Sequence, residues 1–214
     1  MKHIALIYSG NLRTYMETCR QNHSENIYTR GCSFFWYTYE EPEVKTVLSH
    51  PNLEKYSIDG FRWHFVKVPE PFYPDPFKDH LYATRKRPEN TVYQTFGQWH
   101  TNFVGFCLVP RGYDVYVRIR PDIKFNAHLN FDDYDCTGNN IYIPEGNDFG
   151  GVNDQFAFGS YEVMKKYYSV YVNCHELWRD DGEEFHSEGM QLKNLTKQGV
   201  NIVRIGLPQV TIMR

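Results

Sequence analysis

Apolar positions recur along this chain in two rhythms. Residues 3–8, HIALIY, form a short, mostly apolar run closed by Ser9-Gly10, the mark of a buried strand. Leu12, Tyr15, Met16 and Cys19 then return at helical spacing, so the chain opens strand, turn, helix. The aromatic run 32–40, CSFFWYTYE, predicts a second strand, and Pro42 can begin a short helix after it. In 61–68, FRWHFVKV, apolar Phe61, Trp63 and Phe65 alternate with Arg62, His64 and Val66, which predicts a half-exposed strand.

Five prolines between Pro69 and Pro88 then interrupt any periodicity, so 69–90 reads as a long loop of the kind that often carries function. Residues 91–109 place Val92, Phe96, Trp99, Phe103, Phe106 and Cys107 on one helical stripe, best explained by core packing. The stretch 113–125, YDVYVRIRPDIKF, alternates again. Val115, Val117 and Ile119 point one way and Tyr116, Arg118 and Arg120 the other. Pro121 cannot donate to a ladder, so the strand ends there and presents Asp122 at its tip.

Short strands follow at 141–144 and 155–159. Ser160 is placed to cap a helix over 161–178, Ser187 one over 188–198, and Gly199 to stop it. Residues 201–205 form a last strand. Strands alternating with helices define an α/β class, a central sheet flanked by helices. The two alternating strands predict antiparallel edges, hence a mixed, mostly parallel sheet. No repeat or linker divides residues 1–214, which read as a single domain.

Composition narrows the function classes. Aromatics reach 17%, with 17 Tyr and 15 Phe, too many for a disordered chain. A net charge of −3 argues against a nucleic-acid partner, and the basic trio Arg85-Lys86-Arg87 reads as a solvated loop. No apolar run is long enough to span a membrane, and the N-terminus lacks a cleavage site for a signal peptide. The five cysteines are odd in number, scattered and without a C-x-x-C pair. They predict free thiols in a reducing, cytoplasmic compartment.

Ligands of open α/β sheets sit beyond the C-terminal ends of strands, and three features fall there. The first is Ser9-Gly10 with Arg13 in the first turn of the next helix. A helix start favours anions, and a ligand phosphate or a surface ion pair accounts for a cation at that position. The second is the Arg118, Arg120, Asp122 tip. Either an exposed ion pair or a bound diphosphate explains it; a diphosphate needs arginines or a hard cation, and the cation needs a carboxylate. The third is Asn153-Asp154-Gln155 after Gly150-Gly151. It is either turn chemistry or a carboxylate and two amides offered to a hydroxyl-rich ligand.

Taken in order, IALIYSGNLRTY, YDVYVRIRPDIKF, VNDQFAFGSYEVMKKY and HSEGMQLKNL resemble glycosyltransferases of the GT-A (Rossmann-like) fold. Those chlorella-virus enzymes that help build a capsid-protein glycan are the most similar. The resemblance implies a nucleotide diphosphate sugar donor, a uridine one by preference, and a glycan or glycoprotein acceptor. It implies nucleotide contacts at Ser9, Gly10, Arg13, Arg118 and Arg120, with Asn153 and Gln155 on the sugar. It implies Mn²⁺ or Mg²⁺ held by Asp122 and His186, with Glu188 competing for that place, and a catalytic Asp154. The family's Asp-x-Asp metal motif falls here on Arg120-Pro121-Asp122, so its first carboxylate is missing. The NDQ stretch matches retaining members. The resemblance also implies a longer, multidomain parent protein and, for a viral protein, the host cytoplasm. A carbohydrate-binding module is the rival reading from another class, and a nucleotidyltransferase the rival enzyme. The module would not need Arg13 or Asp122 at strand tips, and nucleotidyltransferases usually carry a Gly-rich loop with Arg or Lys after the first strand, absent here beyond SGNLR.

Overall fold

A computed structural model of the chain describes residues 1–9, 19–28, 31–38, 62–67, 89–179, 186–206 and 211–212. The helix expected over 12–19 and the one after Pro42 lie mostly or wholly outside these residues, as do Gly10, Arg13 and the proline-rich stretch up to 88.

The strands are β1 (Ile4–Ser9), β2 (Cys32–Thr38), β3 (Arg62–Lys67), β4 (Val115–Ile119), β5 (Ile123–Lys124), β6 (Asn140–Pro144), β7 (Phe156–Gly159), β8 (Asn201–Ile205) and β9 (Thr211–Ile212). The helices are α1 (Arg20–Asn26), α2 (Glu89–Leu108), α3 (Tyr161–Tyr168), α4 (Val170–Arg179) and α5 (Ser187–Lys197). Among the described residues, seven strands form one sheet in the order β3-β2-β1-β4-β7-β6-β8. Every neighbouring pair is parallel except those of β7, which runs antiparallel to β4 and β6. The sheet is therefore mixed and mostly parallel, as expected. Its antiparallel strand is internal, whereas the edge strand β3 is parallel to β2. The alternation in FRWHFVKV reflects an edge position, and alternation alone does not encode direction.

The period of two in β1 and β4 sorts their side chains onto two buried faces. Ile4, Leu6, Tyr8, Val115, Val117 and Ile119 join Phe34, Trp36, Phe156 and Phe158 on one. Ala5, Ile7 and Tyr116 join Phe35, Tyr37, Phe106 and Ala157 on the other. Helices α2 and α3 cover the second face through Phe106, Val163, Met164 and Tyr168. A third apolar group, Phe96, Trp99, Val170, Cys174, Leu177, Trp178 and Met190, joins α2, α4 and α5 to each other. Trp99 and Trp178 are thus core residues. Cys107, expected on the core stripe, is exposed near the end of α2; the other four cysteines are buried, and none of the five is in a disulfide.

Two helix boundaries differ from expectation. The helix begun by Ser160, whose Oγ accepts from Val163 N at 3.3 Å, breaks at Ser169 into α3 and α4. The Ser169 hydroxyl back-bonds to Lys166 O at 2.8 Å, a local competitor for the backbone ladder. At α5 the cap is His186, one residue before Ser187: its Nδ1 accepts from Gly189 N. This frees the Ser187 hydroxyl for another partner. Gly199, at φ 64°, ends the helix in the left-handed region as expected.

Candidate functional site

The site grows from the place where β4 ends between β1 and β7. Register puts Arg118 opposite Ile7 and Ala157, one step inside the sheet. Arg120 N then donates to Gln155 O at 2.9 Å, which ties the end of β4 to the start of β7. After Pro121 the chain is pinned from α1. His23 Nε2 donates to Ile123 O at 2.6 Å, and Asn22 brackets Phe125 through both its backbone N–H and C=O, at 2.7 and 2.8 Å. The Asp122 turn is therefore held on both sides.

Asp122 is 1% exposed, and Arg120 grips it through Nε–Oδ1 at 2.7 Å and Nη2–Oδ2 at 3.1 Å. The Nη2–Oδ2 contact is a charge-assisted hydrogen bond, whereas the Nε–Oδ1 approach is an ion-pair contact without hydrogen-bond geometry. Arg118 does not join this pair. Its guanidinium lies buried, 1% exposed, where its charge acts on Tyr167 and Tyr168 of α3. Its Nε and Nη1 make no hydrogen bond among the described residues.

Asp154 is brought in by the loop between β6 and β7. Gly151 lies so close to the start of α5 that a Cβ there would stand 2.0 Å from the Glu188 carbonyl, and Val152 N donates to Glu188 O at 3.1 Å. Asp154 Oδ2 then accepts from Ser187 Oγ at 2.7 Å and from Gln98 Nε2 of α2 at 3.1 Å, while Oδ1 accepts no hydrogen bond from the described residues. The carboxylate lines a small cleft with Gln98, Asn102, Tyr167, Tyr168 and Gln191.

Glu188 is the second carboxylate here. Burial, and next the charge of Asp154, push its carboxyl above the ordinary range; His186 and Arg120 pull the other way. The charge of Arg120 thus reaches the Asp154–Glu188 pair, and the three groups share one environment. Sequence reading placed Glu188 only as a competitor of His186, because its neighbour Asp154 lies 34 positions away.

The predicted residues sort as follows. Arg120, Asp122, Asp154 and His186 come together with Glu188 around one end of the sheet. Ser9 ends β1 beside them, buried, its hydroxyl without a partner among the described residues. Gln155 is buried, and its Oε1 also lacks one. Asn153 is instead consumed by its own turn: Oδ1 accepts from Gln155 N at 2.9 Å and Nδ2 donates to Gly146 O at 3.1 Å. The turn reading of that residue prevails. Buried polar atoms without partners cost stability in the empty fold and call for an explanation. Beyond Ser9, Arg118 and Gln155, such atoms occur on Asn102 and Tyr168, two residues that line the cleft beside Asp154.

The metal expectation meets a poor donor set. The arginine fork covers the chelating edge of Asp122. His186 Nδ1 accepts the cap bond, so its proton belongs on Nε2, which faces Glu188 Oε2 at 3.4 Å. Neither nitrogen offers a free lone pair. Among the described residues, no group of three or more His, Cys, Asp or Glu side chains is placed to hold a metal ion. Asp122 and His186 as arranged do not fit a divalent cation.

Comparison with known proteins places this architecture. No family model and no curated protein sequence matches the chain. Solved structures do. Mouse xyloside xylosyltransferase 1, in its apo form, superposes with a TM-score of 0.55 at 10% identity over 95% of this chain and 84% of that one. The glycosyltransferase GlyE of Streptococcus pneumoniae TIGR4 gives 0.55 at 10% identity, and its apo form 0.53 at 13%. This chain spans 45% of the GlyE chain in both. The chain has the fold of these glycosyltransferases: its mixed, mostly parallel sheet is the one the sequence pattern predicts, and its GT-A-like form the one the resemblance implies.

Proposed function

We propose that the protein is a glycosyltransferase that moves a sugar from a uridine diphosphate donor to a glycan or glycoprotein acceptor. The observation that carries this reading is Asp154, oriented by Ser187 and Gln98 with one oxygen open, beside an arginine–carboxylate tip at the C-terminal end of β4. Open α/β sheets bind ligands at that end. The resemblance to chlorella-virus enzymes points to a capsid-protein glycan as acceptor, and free cysteines suit a cytoplasmic setting.

The reaction divides between the two ends of the site. The donor C1–O bond breaks, and its electron pair leaves on the terminal oxygen of the diphosphate. Arg120 meets that charge. The fixed negative charge of Asp154 faces the oxocarbenium-like sugar, with the amide of Gln155 on the same side of the turn. The acceptor oxygen bonds to C1, and its proton passes to the departing phosphate oxygen, with retention at C1. Gln98 and Ser187 keep Asp154 in place throughout.

The test pairs binding with turnover. Asp154→Asn retains uridine diphosphate binding but transfers sugar at least ~10²-fold more slowly, the scale on which a positioned carboxylate matters. Loss of nucleotide binding in Asp154→Asn, or no nucleotide binding by the unmodified protein, sinks the assignment.

A further inference from the structure

We infer that the diphosphate is held here without a divalent cation, by Arg120 in the place a metal would take and with Arg118 supplying positive charge beneath it. The inference rests on the glycosyl-transfer reading above and concerns how that site meets phosphate.

Three observations converge. The first is the exchange of charge at the strand tip. Where the resembling family has a carboxylate, this chain has Arg120, and the remaining carboxylate, Asp122, anchors that guanidinium through two contacts. A buried carboxylate that hydrogen-bonds Nη2 and lies 2.7 Å from Nε restrains the arginine and lowers the entropy cost of presenting its remaining donors. The side chain is 22% exposed, and its Nη1 makes no hydrogen bond among the described residues. The charge of Arg120 also acts on Glu188.

The second is Arg118. A guanidinium that is 1% exposed, with two unbonded nitrogens and no acidic partner among the described residues, is costly unless an anion arrives. It lies two residues before Arg120, which directly follows the last residue of β4, so both charges fall near one end of the strand. The third is the donor set. His186 has both nitrogens engaged, and Asp122 has its chelating edge covered. The remaining donors of Arg120 suit phosphate oxygens, Arg118 adds charge from below, and neither needs a metal to be expressed.

The test is calorimetric titration of uridine diphosphate into the unmodified protein, once in excess EDTA and once in Mn²⁺. The two affinities agree within about threefold if arginine does the work. Arg120→Gln then weakens binding at least about tenfold in both buffers, as expected for a lost charge-assisted bond. Should that variant fail to fold, the comparison of buffers on the unmodified protein decides alone. Binding seen only with Mn²⁺ overturns this inference and leaves the glycosyltransferase reading standing. Binding in neither buffer overturns both.

Discussion

His23 shows how a single residue far from the chemistry sets it. Its ring is fully buried, with Nε2 on the Ile123 carbonyl and Nδ1 3.0 Å from the Tyr8 hydroxyl, which in turn lies 3.0 Å from the Tyr28 hydroxyl. A carbonyl only accepts, so the proton sits on Nε2, and Nδ1 accepts from Tyr8. Protonating Nδ1 would place a charge in an apolar cluster and reverse the Tyr8 bond. Burial therefore holds the imidazole down at about 4, with the Ile123 bond opposing. The unfolded chain binds this proton near pH 6.5. The stabilisation is thus complete above that pH and is lost as pH falls towards 4, about 3 kcal/mol across the window. Denaturant unfolding at pH 7.5 and 4.5 should show a difference between the two values that shrinks by roughly this amount in His23→Gln. An unchanged difference would mean that His23 is already charged in the fold. Sequence reading had no signal for this residue, because its partners lie 15 and 100 positions away and no local pattern couples them.

At the scale of elements, the strands were legible because their burial is written as a two-residue period or an apolar run. β1, β2, β4, β6, β7 and β8 fall within a residue or two of expectation. The direction of β7 and the split at Ser169 were not legible, since both depend on partners distant in sequence. The site was legible in part. Strand ends and turn chemistry marked Arg120, Asp122 and Asp154, whereas Gln98, Ser187 and Glu188 needed the fold. The loop between β6 and β7 makes this meeting possible. Asn147 and Phe149 hold positive φ, 54° and 43°, beside Gly146 and Gly150. The loop is clamped by Arg204, whose guanidinium reaches Asp148 at 2.8 Å and Gly151 O at 3.1 Å. Gly151 then touches the backbone of Glu188, which cannot rotate away. Gly151→Ala should force the loop off α5, destabilise by about 1–3 kcal/mol, and break the Asp154–Ser187 bond. The prediction for activity is a loss comparable to that of Ser187→Ala or larger. Full activity in Gly151→Ala would show that Asp154 does not depend on this seat.

At the scale of the molecule, stability and function pull apart at one end of the sheet. Below it the two faces are filled by aromatic and aliphatic side chains, and no helix of the described residues is long and apolar enough to cross a membrane. At the end where β1 and β4 finish, and in the cleft beside Asp154, buried polar atoms of Ser9, Asn102, Arg118, Gln155 and Tyr168 lack partners among the described residues. A fold selected only for stability would have replaced them, because an unsatisfied buried group costs about 1–3 kcal/mol. Tyr168 is the cleanest case. Its ring packs on Phe106, 4.7 Å between centroids, and burial drives its hydroxyl well above the usual phenol range, so it stays neutral. Tyr168→Phe keeps that packing and deletes only the orphaned hydroxyl. The ligand-free variant should therefore melt at the same temperature or higher, by about 2–4 °C for each 1 kcal/mol recovered in a chain of this size. The rise in melting temperature on adding a uridine diphosphate sugar should shrink in the same variant, since a ligand stabilises only as far as it binds the folded state. A fall in the ligand-free melting temperature would show that the hydroxyl is satisfied within the protein, and the cleft would lose one of the groups that mark it as a ligand site.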